Sequence, residues 1–411
     1  MLDFTEEMTP ATVSELARKV AENASRAAQP IYPAGGRTAL ACGRPSRTPG
    51  ILLSTTELTK VIDYPARDMT ITVEAGIRLT ELAAVLATEG QRLPVDVPQG
   101  HRATLGGAVA CNASGARRFG LGTLRDYVIG IAAVDASGKS FKAGGRVVKN
   151  VAGYDLCKML VGSQGTLAII TQLTLKLKPA PQASRLLWCA FDHLDSIDQA
   201  LERLGSSGAR PVALELLNPA AAASVALEAA QDLPTHRPVL CLGVEGTDHE
   251  TTWQIDTLRN ELQPYAPHSM TVVAPSEAEA VWGALTEFQV ASDDPLTFKA
   301  SLLPSRTVEF VRLANEAGCS IQAHVGNGIV RGHLPDSVTS SDTARTTLDP
   351  LRNLAERCGG SLVIEHCDKG WKAALSVLGA PVEPAWQWMR KLKQQLDPRG
   401  LLNPHRLFES L

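Results

Sequence analysis

The residues whose types and spacing could do chemistry are, first of all, glycines. Between Pro98 and Ser184 they cluster among small residues, in Thr104-Leu-Gly-Gly-Ala-Val-Ala-Cys-Asn-Ala-Ser-Gly115 and Arg117-Arg-Phe-Gly-Leu-Gly122. Two more clusters follow, Lys149-Asn-Val-Ala-Gly-Tyr-Asp155 and Gly162-Ser-Gln-Gly-Thr-Leu167. Backbone without side chains can approach a ligand closely and point its N–H groups at it. Between Lys139 and Lys178 there are seven Lys or Arg and one acid, Asp155. Small-residue backbone in a basic surround suits a large anionic cofactor gripped by main-chain N–H groups. A glycine-rich turn region with no ligand gives the same spacing, so the glycines alone do not decide.

The elements that must position this stretch come from an ordinary globular composition. A chain of 411 residues is long enough for two or three domains with ample core. It is 44% hydrophobic and 20% charged with net charge −3, which gives no reason to expect nucleic-acid binding or general attraction to membranes. The first residues carry Asp3, Glu6 and Glu7 and no apolar run, so no signal peptide is read there. The longest uncharged stretch, Met159 to Leu175, is 17 residues interrupted by Gly, Ser, Gln and Thr, too short and polar to span a bilayer. The eight cysteines are scattered with no C-x-x-C pair, which reads as reduced, mostly buried thiols of a cytoplasmic protein.

Periodicity predicts a helix over Pro10 to Ala28, then a strand from Pro30 into the Gly35-Gly36 turn. Strands at Ile51–Ser54 and Met69–Glu74 and a helix from Leu79 to Glu89 follow. No G-x-G-x-x-G comes after a first strand, which disfavours a Rossmann site. Further strands are expected at Val128–Val134, Ser140–Lys142 and Leu167–Leu177, and Lys178 to Ser184 reads as a proline-rich linker. Beyond it, strands at 186–191, 212–217, 238–245 and 269–274 alternate with helices at 196–205, 219–231 and 249–263. Helices at 276–290, 304–317 and 341–357 and strands at 296–302, 319–325 and 361–366 complete the pattern of an antiparallel sheet covered by helices. Asp336 to Ser341 reads as disorder-prone, and Leu396 to Phe408 as a rigid tail that is tied down.

Taken in order, several of these pieces resemble the FAD-binding type of the vanillyl-alcohol oxidase and p-cresol methylhydroxylase superfamily. Within it the resemblance runs furthest to the FAD-binding GlcE family of bacterial glycolate oxidases. The matching pieces are Tyr32-Pro-Ala-Gly-Gly-Arg-Thr38, Thr104-Leu-Gly-Gly107 with Asn112 and Gly115, and Arg118-Phe-Gly120. Val151-Ala-Gly-Tyr-Asp155, Gly162-Ser-Gln-Gly-Thr-Leu167 and Asp397-Pro-Arg-Gly-Leu-Leu-Asn-Pro404 match as well, whereas 185 to about 385 matches more loosely. The resemblance implies an α+β fold with a two-part FAD-binding domain, residues 1–180, closed by a tail, 386–411, that returns to the flavin. An antiparallel-sheet cap domain, 185–385, would lie between them.

It also implies which residues hold FAD. Ala34, Gly35, Gly36, Arg37 and Thr38 would hold the pyrophosphate, and Thr104, Leu105, Gly106, Gly107, Asn112 and Gly115 would wrap the pyrophosphate and ribityl chain. Gly162, Gly165, Thr166, Leu167, Ile169 and Ile170 would run along the isoalloxazine and adenine, and Asn403 would come back to the flavin. Capping or turn roles stay open for both asparagines. Lys149 and Tyr154 would stand beside the flavin or serve in packing. FAD is expected to be non-covalent, because the first Gly-Gly loop carries Arg37 where covalent relatives carry a histidine.

In the cap, relatives carry a histidine, a second one seven residues later, and a distant Glu-His as a metal and substrate site. Here His324, Glu365 and His366 are present, but Arg331 stands at the second position and the next histidine is His333. A cation in place of a ligand repels a divalent ion, so no metal is expected. Arg331 would instead bind a substrate carboxylate or form a strand salt bridge. His366 is the candidate base and His324 the third candidate catalytic residue. The activity implied is oxidation of glycolate, a small 2-hydroxy acid, to glyoxylate. Electrons would pass to a sister flavoprotein subunit and an iron–sulfur subunit, with any membrane association peripheral and made through partners. The alternatives are a self-sufficient D-2-hydroxy-acid dehydrogenase, a non-catalytic flavin-bearing subunit, and an NADPH-oxidising reductase of cell-wall precursor synthesis.

Overall fold

The structure, a computed structural model, describes residues 4–26, 28–145, 155–290, 294–379 and 383–408. The chain folds into two compact units. One comprises Met1–Ser114, Thr123–Ala180 and Pro381–Leu411, and the other Gly115–Gly122 and Pro181–Ala380.

The first unit holds two main sheets. In a three-stranded parallel sheet, Gly50–Ser54 lies between Phe4–Met8 and Ile31–Ala34 and is buried along its whole length. A five-stranded antiparallel sheet runs Val61–Asp63, Thr70–Glu74, Ile169–Lys176, Val128–Val134, Ser140–Gly144. Ile169–Lys176 is its centre, and its alternating residues Ile169, Leu173 and Leu175 are buried. The helix Val13–Ser25 starts later than expected because Thr12 is its N-cap, accepting from the Glu15 N–H at 3.1 Å. Its Leu16 and Val20 pack with Leu53, Ile169 and Leu402, so the C-terminal tail is part of this core. Two features nearby go beyond the sequence reading. Lys178 and Pro179 are not free linker but pair with Arg92 and Gln91. The strand Phe4–Met8 was hidden in the sequence by its exposed Glu6 and Glu7.

The second unit is built on one eight-stranded antiparallel sheet. The order is Ser269–Val273, Ala183–Ala190, Val239–Gly246, Ala213–Leu217, Ser320–His324, Ile329–His333, Leu296–Ser301, Ser361–Cys367. One face is apolar throughout and packs against the helices Leu194–Leu204, Asp248–Leu262, Thr307–Glu316 and Ser341–Arg357. On the opposite face, Pro219–Glu228 and Pro275–Glu287 cover only the first four strands. The next three strands present polar side chains there: Gln322, His324, Arg331, His333, Thr297 and Lys299, with Glu215 beside them. Ile329–His333 escapes the sequence pattern because Gly332 occupies an inward position, where a Cβ would lie 2.3 Å from the Phe298 ring. Asp336 to Ser341 is not disordered: Val338 is buried, and Ser340 accepts from the Thr343 N–H to cap the next helix. Among the described residues, no helix is long and apolar enough to cross a membrane.

Candidate functional site

In the first unit, a groove with about 810 Å³ of empty space, open to solvent, runs along the ends of both sheets. Its wall is mostly backbone and small side chains, from Pro33 to Leu40, with Thr104, Gly106, Gly107, Gln164, Gly165 and Ala168 to Ile170. Two of its glycines are needed for contacts within the protein. A Cβ on Gly35 would lie 1.9 Å from Thr104 Oγ1, and one on Gly36 would lie 1.7 Å from the Arg102 carbonyl oxygen. The two glycine clusters thus pack on each other, and the groove is what remains beside them. Gly107 differs: a Cβ there would meet only Thr104 Oγ1, at 3.1 Å, and otherwise open space. Thr104 serves both clusters, because its hydroxyl also accepts from the Gly107 N–H at 3.3 Å.

The C-terminal tail completes the groove. Leu401 and Asn403 bond across to Ile31 (Ile31 N–H to the Leu401 carbonyl at 2.7 Å, Asn403 N–H to the Ile31 carbonyl at 2.9 Å). The Asn403 side-chain amide donates to the Gln164 carbonyl at 2.7 Å. The lock behind it is Lys393, buried on the helix Ala385–Leu396. Its Nζ donates to Asp397 Oδ2 at 2.5 Å, the Leu402 carbonyl at 2.7 Å and the Thr166 carbonyl at 2.8 Å. Asp397 in turn accepts the Leu401 and Leu402 N–H groups at 2.9 and 2.7 Å. Arg37, Gln164 and Asn403, all on the groove wall, hold left-handed backbone with φ of 59°, 51° and 43°. Such conformations cost a non-glycine residue energy and persist only where surroundings enforce them.

Of the residues expected to hold the cofactor, Ala34, Gly35, Gly36, Arg37, Thr38, Thr104, Gly106, Gly107, Gly165, Ile169, Ile170 and Asn403 line the groove. Six do not. Leu105 is buried in the core, Leu167 packs partly buried against it, and Asn112 takes the capping role at the end of the helix Leu105–Cys111, with φ 49°. Gly162 bonds to the Val109 carbonyl at 3.0 Å, and Thr166 turns its hydroxyl to the Ser163 carbonyl at 2.7 Å. Gly115 belongs to the second unit, with the segment Gly115–Gly122. There Arg117 pairs with Glu245 at 2.9 Å and covers the Trp282 ring, and the Gly120 N–H bonds to the Val212 carbonyl. Of the basic residues in that surround, Lys158 pairs with Asp155 and Lys176 sits over the Tyr127 ring, and neither lines the groove. Lys149 and Tyr154 lie outside the described residues. Sequence reasoning missed Lys393, Cys42 and Arg406; the last follows the Asn403-Pro404 pair by two residues and lines the groove.

The second unit gathers the cap residues on the half of its sheet away from Pro219–Glu228 and Pro275–Glu287, where most of them are buried. His324 Nδ1 is 2.7 Å from Glu215 Oε1, both groups fully buried, and Gln322 Nε2 donates to Glu215 Oε2 at 2.7 Å. His324 Nε2 is buried and makes no hydrogen bond among the described residues. Arg331, a cross-strand neighbour of Lys299 and Gln322, forms the salt bridge to Glu365 at 2.5 Å, with its Nε unpaired. His366 stands opposite Thr297 past a bulge, and burial, then the charge of Lys372, lowers its pKa below the ordinary 6.5. Its Nδ1 is buried without a partner. His333 is occupied at both ring nitrogens, by Asp294 at 2.9 Å and the Phe288 carbonyl at 2.6 Å. Among the described residues no three His, Cys, Asp or Glu side chains come together as a metal site.

A groove of this volume walled by backbone and small side chains, with two arginines and no carboxylate, suits a large anionic cofactor. Two buried atoms on that wall, Gln164 Oε1 and Arg406 Nε, make no hydrogen bond among the described residues. Fold and groove together define a flavoprotein with an α+β cap. Residues 7–144 match a family model described as FAD binding domain, and residues 180–407 match FAD linked oxidases, C-terminal domain. The latter spans more than half of the chain, and the protein belongs to the FAD-linked oxidases, with FAD as its cofactor.

Its relatives agree over most of its length. It is 27% identical to glycolate oxidase subunit GlcD of Bacillus subtilis, over 92% of this chain and 84% of that one. It is 28% identical to D-2-hydroxyglutarate dehydrogenase of Xanthomonas citri, over 98% and 88%. It is also 28% identical to glycolate oxidase subunit GlcE of Escherichia coli, over 85% of each. Among solved structures, p-cresol methylhydroxylase superposes with a TM-score of 0.73 at 16% identity, over 97% of this chain and 88% of that one, and this likeness is one of fold.

Proposed function

We propose that this chain is the FAD-binding subunit, of the GlcE type, of a glycolate oxidase. It holds FAD non-covalently and oxidises glycolate, or another small 2-hydroxy acid, to the 2-oxo acid. The observation that carries the reading is the polar half-face of the second unit, where a fixed guanidinium and an imidazole whose pKa burial lowers sit on one sheet. A 2-hydroxy acid asks for that pair: a cation for its carboxylate and a neutral base for its hydroxyl proton.

FAD, when bound, supplies the acceptor for the two electrons that leave with the α-hydrogen. The chain's own residues do the rest. Arg331, held by Glu365, offers its unpaired Nε to the carboxylate. His366 takes the hydroxyl proton at Nδ1, which has no other partner among the described residues. His324, oriented by Glu215 through Nδ1, presents Nε2 to the same polar face. Arg331, paired with Glu365, leaves a fixed cation on this face, which disfavours a divalent metal there.

Electrons must then leave the flavin. The eight cysteines contain no C-x₂-C spacing for an iron–sulfur cluster, so the proposed complex supplies the relay through an iron–sulfur protein beside a sister flavoprotein. A second reading, a self-sufficient D-2-hydroxy-acid dehydrogenase, is favoured by the Xanthomonas relative that spans nearly the whole chain. One assay separates them. Express the chain alone, verify bound FAD, and follow dye reduction with glycolate or D-lactate, then add the partner chains. Turnover that rises only in the complex supports the glycolate oxidase assembly; fast turnover by the lone chain, unchanged by partners, supports the dehydrogenase.

A further inference from the structure

Two arginines line the groove of the first unit, and they are in opposite situations. Arg37 is ion-paired with Glu7 near the surface. Arg406 is more than nine-tenths buried and has no carboxylate partner among the described residues. Its Nη1 and Nη2 donate to the Leu40 and Ala39 carbonyls at 2.9 and 3.1 Å, and its Nε makes no hydrogen bond. Burial lowers its pKa, and the groups that oppose this are only Cys42, Cys111 and Tyr32. A buried cation without a counter-ion is disfavoured, because it loses its hydration and gains no opposite charge. The fold nevertheless enforces it. Asn403 and His405 both take left-handed backbone, with φ of 43° and 64°, and the Arg44 N–H holds the Arg406 carbonyl at 3.0 Å. Gly43 leaves room for the side chain, since a Cβ there would lie 3.0 Å from Arg406 Cδ.

The anion that balances such a charge must come from whatever fills the groove. We infer that Arg406 is the fixed counter-charge for the diphosphate of FAD, acting from the segment after Thr38 that its guanidinium clamps. This rests on the assignment of the groove to FAD and adds to it the residue that selects a dinucleotide over an uncharged flavin. The neighbouring Ala34–Thr38 loop contributes backbone N–H groups, which recognise the phosphates by shape. Arg406 contributes the full charge, and with it sensitivity to salt.

The test uses the full chain stripped of flavin and titrated with FAD, ADP-ribose and riboflavin. Wild type is compared with Arg406→Lys and Arg406→Gln. A hydrogen-bonded charge of this kind corresponds to about a 10- to 100-fold loss in affinity when removed. Arg406→Gln should therefore weaken FAD and ADP-ribose by that factor and flatten their salt dependence. It should leave riboflavin within about twofold, since riboflavin carries no phosphate to lose the contact. Arg406→Lys should recover part of the loss. Equal weakening of riboflavin and FAD would mean that Arg406 serves only to hold the Ala39 and Leu40 carbonyls, and the inference would fall. So would unchanged FAD affinity in Arg406→Gln, or a lowered flavin reduction potential with ADP-ribose binding intact, which would move the charge to the ring. If wild type itself bound no FAD, the groove assignment would fail and not merely the role of Arg406.

Discussion

Lys393→Met removes the charge behind the tail while keeping the length of the side chain. Its ammonium joins three segments, through Thr166, Asp397 and Leu402 at 2.8, 2.5 and 2.7 Å. Breaking a buried pair by deleting one partner costs about 3–5 kcal/mol, because it strands the other charge. Asp397 keeps the Leu401 and Leu402 N–H groups, which soften the loss, so the lower half of that range is expected. At about 2–4 °C per kcal/mol for a domain of roughly 200 residues, the melting temperature should fall by about 6–16 °C. Lys393→Met with Asp397→Asn should recover part of this, since the stranded carboxylate is then gone. Circular dichroism melts with and without FAD measure both, and the single variant should also lose flavin, because Gln164 and Asn403 lie on the loops that Lys393 ties. A fall below about 2 °C, or a double variant worse than the single, would refute the reasoning that the charge pair dominates here.

Other expectations follow from the same geometry. Gly36→Ala should destabilise the chain by about 1–3 kcal/mol through the clash with Arg102, while Gly107→Ala should be nearly neutral in a melt. Gly107→Asp should keep the fold but lose FAD, by placing bulk and negative charge in the groove; retained flavin in a folded Gly107→Asp protein would contradict the assignment. Acid precipitation should leave the flavin in the supernatant, as Arg37 offers no covalent bond; flavin in the pellet would mean a covalent link. For His366, the lowered pKa means that the protonated, inactive form appears only below the ordinary 6.5. The rate kcat/KM should be level above neutrality and fall in an acid limb centred below that value. His366→Gln should remove the limb and slow turnover by about 10²- to 10⁴-fold, and a limb centred above 6.5 would argue for another base.

The sequence disclosed a good part of this. Continuous apolar strands, such as Val128–Val134, and helices with strong caps, such as Ser341–Arg357, could be read almost to the residue. The strand Ile329–His333 could not, because Gly332 and Arg331 break the alternation while Phe298 fills the space that a side chain would have taken. The helix Ala385–Leu396 was invisible to apolar periodicity: its fully buried residue is Lys393, and Trp388 is 64% exposed. Glycine clusters located the groove, but for a partly different reason than spacing suggested. Gly35 and Gly36 are small to let Thr104 and Arg102 approach, and Gly107 alone among these three faces open space. Arg331 was legible as the odd residue in a histidine motif, whereas its partner was not, since sequence cannot show that Glu365 sits on the bulge beside it.

The most direct test of the whole account is anaerobic mixing of the FAD-loaded protein, purified with its partners, against glycolate, D-lactate and NADPH. Loss of oxidised-flavin absorbance with a 2-hydroxy acid, abolished by His366→Gln and weakened in KM by Arg331→Met, is the predicted result. Bleaching by NADPH with no response to any 2-hydroxy acid would contradict it.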